Sequence, residues 1–507
     1  MKSNPSSLAS RAMGAGAWTV GTRLISKLID LAMLLCLARY LGPGEFGVVA
    51  AAMAVVLIVE ALFEMPIGSA LIRMPTIDAE MLHTAFSISC ARGIIIAALL
   101  VLLAWPLAAF SGEPRLRLLL PVLALAPVAR GMVSPRMVEY ARAFNFKPDA
   151  ILELSGKSLA FIAAVGIAAI TNSYWAIAAA TICGPLVATT VSYLIAPLAP
   201  KITFSQWKLF SNLIGWNFLS QLCMALNWQV DRLLLPRLTT ITAFGQYAMA
   251  RQMAELPIQA LIQPLVRPAM TALSSAKENL ASRYLQLSHG VVLIMIPVLG
   301  VLVFWPEVVI RVALGSPWLH AAVWLKWLGA ISMLDLSALL MAPLAITLDQ
   351  TRWLAIRTFF ELMLRLPLIW IGVVISGIAG SIIGSAVATA IVAIAGLLII
   401  RRMTNITLRS QLVNMMTPFI ALVPAGAMLY YTQPTVMHAA SLLNVIGLAI
   451  IFGFLYALLY IFILFSTWWF RGAPAGLEHF IFYSLKSRVS SSGVPLLFSS
   501  SDTRDSN

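Results

Sequence analysis

Three ionisable side chains stand in the first apolar stretch of the chain: Arg23, Lys27 and Asp30, four and three residues apart. At about 100° per residue they share one narrow helix face, with Thr19 beside them. An ionised group at the centre of a bilayer costs about 2.5–3.5 kcal/mol on insertion scales, so three on one stripe must face protein, water or a charged cargo. An ion pair between Asp30 and either Lys27 or Arg23 accounts for one acid and one base and leaves a cation over. The surplus cation suits an anionic ligand, and a guanidinium can hold two phosphate oxygens at once where an ammonium cannot.

Later stretches repeat the arrangement with weaker or paired groups. Asn217, Gln221, Trp228 and Asp231 lie within about a third of a helix circumference, with Arg232 at its margin. Hydrogen bonding between helices is the structural reading of the two amides. Asp231 and Arg232 are expected near the outer end of their helix, within reach of water. Arg251 and Glu255 follow one turn apart, ahead of Pro257, Gln259, Gln263 and Pro264. Two prolines predict a bend whose freed carbonyls face a cavity. Glu60 and Glu64 share a face before Pro66. Arg23, Lys27, Arg251, Asn217 and Gln221 are the candidate substrate contacts. Asp30, Glu60, Glu64, Asp231 and Glu255 are the carboxylates able to take up a proton or a sodium ion. Glu153/Lys157 and Glu361/Arg365 read as structural one-turn pairs, and Arg92, Lys326 and Asp335 as isolated charges.

No stretch has the spacing of an active site. Gly156-Lys157-Ser158 imitates the end of a phosphate-binding loop, but Ile151 stands where that loop needs glycine. HExxH, GxSxG and CxxC do not occur. Cys36, Cys90, Cys183 and Cys223 lie in apolar stretches without paired spacing, and the histidines are scattered, so neither a disulfide nor a metal site is expected. No cofactor is expected, and the reading is a transporter rather than an enzyme.

With 60% hydrophobic and 11% charged residues, the 507-residue chain is too apolar to be soluble. Runs of about 20 apolar residues follow almost end to end, each long enough to cross hydrocarbon. The fold class read from this is an all-α integral membrane protein of about 14 transmembrane helices. They are placed at 17–38, 47–71, 84–110, 116–138, 150–170, 174–197, 212–236, 242–272, 286–312, 321–347, 353–375, 378–400, 412–432 and 441–469. The net charge of +14 does not point to nucleic acid, because the basic residues gather in alternate short loops. Arg73, Arg142, Lys201, Lys208, Arg352 and Arg401 fall on one side, and little besides Arg39, Arg115, Arg117, Arg237 and Arg311 on the other. By the positive-inside rule both termini are then cytoplasmic.

The stretch from Trp18 to Pro66 recurs, ungapped, from Trp216 to Pro264, with about ten identities in about fifty positions. Trp18 meets Trp216, Arg39 meets Arg237, and Phe46-Gly47 meets Phe244-Gly245. Thr19 and Arg23 become Asn217 and Gln221. An even number of spans separates the copies, which predicts two pseudo-symmetric six-helix lobes around a central cavity, related by an axis along the membrane normal. The organisation expected is an interfacial segment at 1–16, a first lobe at 17–200 and a second at 201–402 behind an entry linker. Two further spans at 403–470 and a mostly disordered cytoplasmic tail at 471–507 complete it. Gly380 and Gly384 read as a close helix-packing motif.

The phrase Leu37-Ala38-Arg39-Tyr40-Leu41-Gly42-Pro43-Gly44-Glu45-Phe46-Gly47, followed by Gly68-Ser69-Ala70-Leu71-Ile72-Arg73, resembles the polysaccharide transporter family. That family belongs to the multidrug/oligosaccharidyl-lipid/polysaccharide exporter superfamily, and the segment from Trp216-Asn217-Phe218 through Asp231-Arg232 to Gly245-Gln246-Tyr247 is similar to its O-antigen and colanic-acid-type members. The resemblance implies a flippase of a bacterial inner membrane. It would move an undecaprenyl-pyrophosphate-linked oligosaccharide outward by alternating access, for exopolysaccharide, capsule or O-antigen synthesis. It also implies cavity arginines on the pyrophosphate, with Arg23 and Arg251 in comparable places, and a polysaccharide polymerase and glycosyltransferases as partners beside the lipid bilayer. Met53 stands where Arg251 falls in the repeat, so the arginines are not a symmetric pair. Within transporters the alternative is a drug or small-cation exporter. From a different class comes a membrane polymerase or glycosyltransferase acting on the same lipid, for which the short outer loops provide no catalytic groups.

Overall fold

In a chain this apolar, the positions that interrupt helices shape the architecture, since backbone in hydrocarbon must otherwise satisfy its own hydrogen bonds. The computed structural model describes residues 5–211, 215–275 and 279–470, and their side chains apart from 5–17, 19–20, 211–220 and 337. All regular structure among the described residues is helical. The expected tail at 471–507 lies outside them.

The first half runs α1 (Pro5–Tyr40), α2 (Pro43–Leu62), α3 (Ile67–Arg73), α4 (Ala79–Ser111), α5 (Leu116–Leu123), α6 (Leu125–Gly131), α7 (Met137–Arg142), α8 (Lys147–Thr171) and α9 (Trp175–Ile195). After the short α10 (Lys208–Ser211), the second half runs α11 (Gly215–Leu238), α12 (Ile241–Pro257), α13 (Val266–Ser274), α14 (Leu280–Phe304), α15 (Pro306–Ala313), α16 (Ala321–Asp335), α17 (Met341–Thr347) and α18 (Thr351–Thr404). The chain then continues through α19 (Leu408–Met437) and α20 (Leu442–Phe470). Each stretch read as a span falls on a helix or a run of short helices. Eight helical stretches are by themselves long and apolar enough to cross a membrane. The segment read as interfacial at 1–16 is helical from Pro5 and continuous with α1.

The repeat is visible in the breaks. α2 stops before Pro66 and resumes as α3. At the equivalent place α12 gives way to a π-helical turn at Ile258–Ile262 and a 3-10 turn at Gln263–Leu265, around Pro264. The two prolines expected to bend this span thus bracket a change of helix type. The two spans read at 353–375 and 378–400 form one hairpin, turned at Ser376 and Gly377 (φ +58°). A Cβ on Gly380 would lie 1.8 Å from Gly372 O, and one on Gly384 2.4 Å from Leu368 O. Only glycine permits this approach, which is the close packing its sequence motif predicts. α8 and α9 meet through buried Ala160, Ala164, Ala168, Ala176 and Ala180.

On the face away from the basic excess, the expected outer face, the halves close on each other through equivalent residues. A Cβ on Gly47 would lie 2.1 Å from Ile241 O, and one on Gly245 1.8 Å from Pro43 O. Each glycine thus packs on the residue that opens its counterpart's helix. Arg39 donates to Val312 O at 2.7 Å and Arg237 to Phe110 O at 3.1 Å, so each half caps a helix end of the other. Buried Trp318 donates through Nε1 to Ala38 O at 2.9 Å and stands edge-on to Phe46. Beside this seal, Arg115 holds Glu113 through two hydrogen bonds of 2.7 and 3.0 Å and Glu45 at 3.0 Å, and Tyr174 N donates to Glu45 at 2.9 Å. The Arg115 hydrogen bond keeps the Glu113 carboxyl below its ordinary value.

At the opposite face the connector between the halves lies against the start of α4. Thr203 N donates to Ser87 Oγ at 2.9 Å, Lys201 N to His83 Nδ1 at 3.3 Å and Gln206 Nε2 to Asp78 at 3.2 Å. Asp78 also caps α4 by accepting from Met81 N at 2.7 Å.

Gly245→Ala should force the outer ends apart, because its Cβ has only backbone to displace. A cysteine placed at Ala38, 2% exposed in the seal, should then react faster with an impermeant maleimide. An unchanged labelling rate, with unchanged thermal stability, would show that the crossing can relax without opening.

Candidate functional site

The first-span charges divide between a contact with α8 and open surface. Ser26 and Asp30 turn toward α8, where Ser26 Oγ donates to Glu153 at 2.5 Å and Lys157 Nζ to Asp30 at 2.6 Å. This corrects two expectations. Asp30 pairs with neither Lys27 nor Arg23, and Glu153 and Lys157 serve α1 rather than each other. The physical reason is that one-turn spacing sets which side chains share a face, while a helix across the interface offers a shorter reach. Arg23 and Lys27 remain exposed, without a hydrogen-bond or ion-pair partner among the described residues.

A second group assembles deeper in the first half. Arg130 of α6 pairs with Glu60 of α2, and half-buried Arg92 of α4 stands beside them with its Nε buried and unsatisfied. Glu60, Arg92 and Arg130 line a cavity of about 190 Å³, closed by Ser89, Ile96 and Pro127. Its walls are tight because each arginine precedes a glycine at the α4–α6 crossing. A Cβ on Gly93 would lie 2.6 Å from Pro127 O, and one on Gly131 2.4 Å from Ser89 O. Arg92 is thus not isolated. Arg130 escaped the sequence reading altogether, although the repeated Arg-Gly pair at 92–93 and 130–131 was a signal for both.

Glu64, at the break between α2 and α3, accepts from Gln221 Nε2 of α11 at 3.1 Å, a bridge between the halves. Asn217 lies one turn earlier on α11, and its side chain is outside the described residues.

In the second half one group of charges lies largely buried and paired within itself. Arg251 donates from Nη1 to Asp231 and from Nε to Glu255 at 2.9 Å, and the Tyr247 hydroxyl also donates to Asp231. Arg232 Nη2 stands 3.9 Å from Glu255. Asp231, expected in water near a helix end, is 0% exposed, because α12 folds back over that end of α11 and covers it. The Arg251 side chain is 11% exposed, so this guanidinium is a clamp between α11 and α12. Tyr247 was missed, although it stands one turn before Arg251 and two before Glu255, and that four-residue spacing was the signal for it. Farther along, Arg357 pairs with Asp335 at 3.2 Å and Arg365 with Glu361 at 3.4 Å.

Chemically, Arg23, Lys27, Arg92 and Arg130 of the first half can reach an anion, whereas Arg251 of the second is already held by Asp231 and Glu255. Among the described residues no His/Cys/Asp/Glu group could hold a metal. Lys157→Ala should leave Asp30 against α8 without a counter-ion and lower the amount of folded protein in the membrane. Adding Asp30→Ala should restore it, whereas adding Arg23→Ala should not. Restoration by Arg23→Ala, scored by membrane abundance and unfolding temperature, would contradict the pairing.

Known proteins place this arrangement in a lineage. The family described as polysaccharide biosynthesis protein matches residues 36–323. The succinoglycan biosynthesis transport protein ExoT of Rhizobium meliloti (strain 1021) is 26% identical over 302 residues, which is 56% of this chain and 59% of that protein, under two thirds of its length. The lipopolysaccharide biosynthesis protein WzxC of Escherichia coli (strain K12) is 21% identical over 403 residues, 75% of this chain and 78% of its own. In fold, the chain is similar to the lipid II flippase MurJ in an inward closed conformation. That match has a TM-score of 0.67 at 16% identity and covers 90% of this chain and 99% of the other. An inward-facing multidrug resistance MATE family transporter of the MOP superfamily follows, with a TM-score of 0.57 at 15% identity over 75% and 95% of the two chains. With the family match covering more than half of its length, this chain belongs to the polysaccharide biosynthesis protein family.

Proposed function

We propose that the protein flips an undecaprenyl-pyrophosphate-linked oligosaccharide from the inner to the outer leaflet of a bacterial inner membrane. The observation that carries this reading is the cavity that Arg92 and Arg130 line, with Glu60 as its one lining carboxylate and Glu64 just beyond it. A diphosphate brings more negative charge than Glu60 and can take guanidinium forks two oxygens at a time. Arg23 and Lys27, exposed without partners, meet the diphosphate first as it leaves the cytoplasmic surface. Arg130 then exchanges Glu60 for the cargo. The seal at the outer ends keeps the far side closed while this happens, and release requires that Arg39 and Arg237 let go of their carbonyls.

The same exchange offers a coupling step. Glu60, having lost Arg130, is a carboxylate in an apolar setting and gains from a proton or a sodium ion. Glu64 is the neighbouring carboxylate through which such a change reaches Gln221 and the second half. In this reading fourteen spans put both termini in the cytoplasm, with lobes at 17–200 and 201–402 and an added pair at 403–470. The succinoglycan and lipopolysaccharide roles named for the relatives support a polysaccharide cargo, supplied and consumed by glycosyltransferases and a polymerase. A small-cation cargo is disfavoured, because Asp30, Glu60, Asp231 and Glu255 each already hold a cationic side chain.

In cells whose surface polysaccharide depends on this protein, Arg130→Gln should reduce export by about tenfold or more, the worth of one charge-assisted hydrogen-bonded contact. Arg92→Gln combined with it should abolish export at normal membrane abundance. Undiminished export by the double variant would reject the cavity as the diphosphate site. For the entry position, Arg23→Lys should impair export and Arg23→Ala should impair it more, with abundance unchanged in both because Arg23 supports no ion pair. A loss of abundance on Arg23→Ala would make its role structural.

A further inference from the structure

Most buried or half-buried arginines of this fold reach a carboxylate. At one membrane end of the second half four exposed arginines reach none: Arg352 in the first turn of α18, Arg401 and Arg402 in its last turn, and Arg409 in the first turn of α19. All four are exposed and have no ion-pair partner among the described residues. Asp349, the acid nearest in sequence, pairs with none of them. Like charges gathered this way repel unless an anion joins them.

The surrounding geometry is an open, shallow recess between two helix ends. Asn405 turns the chain in the left-handed region (φ +59°), its N–H donating to Arg401 O at 2.8 Å, and Thr407 caps α19. Between the two helix ends Leu398, Arg401, Arg402, Asn405 and Thr407 line a cavity of about 500 Å³. Trp353 flanks it, with the guanidinium carbon of Arg402 at 4.9 Å and that of Arg352 at 5.6 Å from its ring centre. These contacts hold the arginine stems while leaving their donors free. Leu398 provides an apolar wall and is 47% exposed.

We infer that this cavity binds the headgroup of an anionic phospholipid of the leaflet at that end. Arg401 and Arg402 would take the phosphate oxygens, the Asn405 amide an ester or glycerol oxygen, and Leu398 the first methylenes of an acyl chain. A basic recess beside membrane helix ends on the positive side has the charge for such a headgroup. A soluble phosphate would satisfy the arginines but leave Leu398 bare, which is why a lipid is the occupant the site favours. This site is separate from the cavity of Arg92 and Arg130, and its test does not read transport.

The experiment uses the full-length protein in neutral detergent, titrated with phosphatidylglycerol or phosphatidylcholine and followed by native mass spectrometry and unfolding temperature. Phosphatidylglycerol should bind and stabilise, and phosphatidylcholine should do neither. Arg401→Gln and Arg402→Gln should each weaken phosphatidylglycerol binding by about tenfold. Arg142→Gln, elsewhere on the same face, should leave it unchanged. If the glutamine variants do not fold, the Arg401→Lys/Arg402→Lys protein keeps the charge, loses the fork, and should still bind several-fold more weakly. Equal binding of the two lipids, or full affinity in the folded variants, would overturn the site. Displacement of the lipid by millimolar inorganic diphosphate would reassign the cavity to a soluble anion and overturn the lipid reading.

Discussion

A charge inside a bilayer has to be answered within the reach of its own side chain, and that demand arranges more of this protein than apolar contact does. Lipid tails are as apolar as leucine, so burying leucine against leucine gives helices little reason to choose one neighbour over another. Ion pairs and close glycine contacts do choose. Lys157 on Asp30 fixes α8 against α1, Arg130 on Glu60 fixes α6 against α2, and Arg251 between Asp231 and Glu255 fixes α12 against α11. Removing one member of such a pair leaves the other in a medium that cannot solvate it, at a cost of about 3–5 kcal/mol where the pair is buried.

The two halves share a backbone plan and differ in what they do with charge. Equivalent residues seal the outer ends, with Arg39 and Arg237 each capping a helix of the opposite half and Pro66 and Pro264 interrupting equivalent spans. Inside, the correspondence ends. Met53 stands where the second half has Arg251, and Ile258, a group that cannot pair with an arginine, stands where the first half has Glu60. The Arg251 group of the second half is spent on itself, while Arg23, Lys27 and Arg92 of the first stay available. A binding site for one large anion needs that asymmetry, since two identical halves would present the anion with two equivalent sites and no direction of entry.

Most of the helical plan was legible in the sequence, because hydropathy and proline act locally. The hairpin of α18 followed from its apolar run and from Gly380 and Gly384, and the change of helix type after α12 from Pro257 and Pro264. What stayed hidden were choices made across an interface. Spacing showed that Asp30 shares a face with Lys27, but the structure answers it from Lys157, 127 residues away. Asp231 looked exposed because depth along a helix says nothing about what folds over it. Arg130 lies in a span cut into α5 and α6, too fragmentary to carry a helix-face pattern, yet its glycine neighbour marks the close crossing that brings it to Arg92.

The contact of Gly47 with Ile241 and of Gly245 with Pro43 has a further consequence for how the chain can change over time. Each glycine meets the copy of the residue that its partner meets, so the pair sits on the pseudo-twofold axis. In a dimer of two identical half-length chains, a single codon change there would add two methyl groups at one crossing. Fusing the halves into one chain separates the codons but not the constraint, because either methyl group alone already collides with backbone. The axis is therefore where the two halves remain least free to diverge, however far their interiors drift.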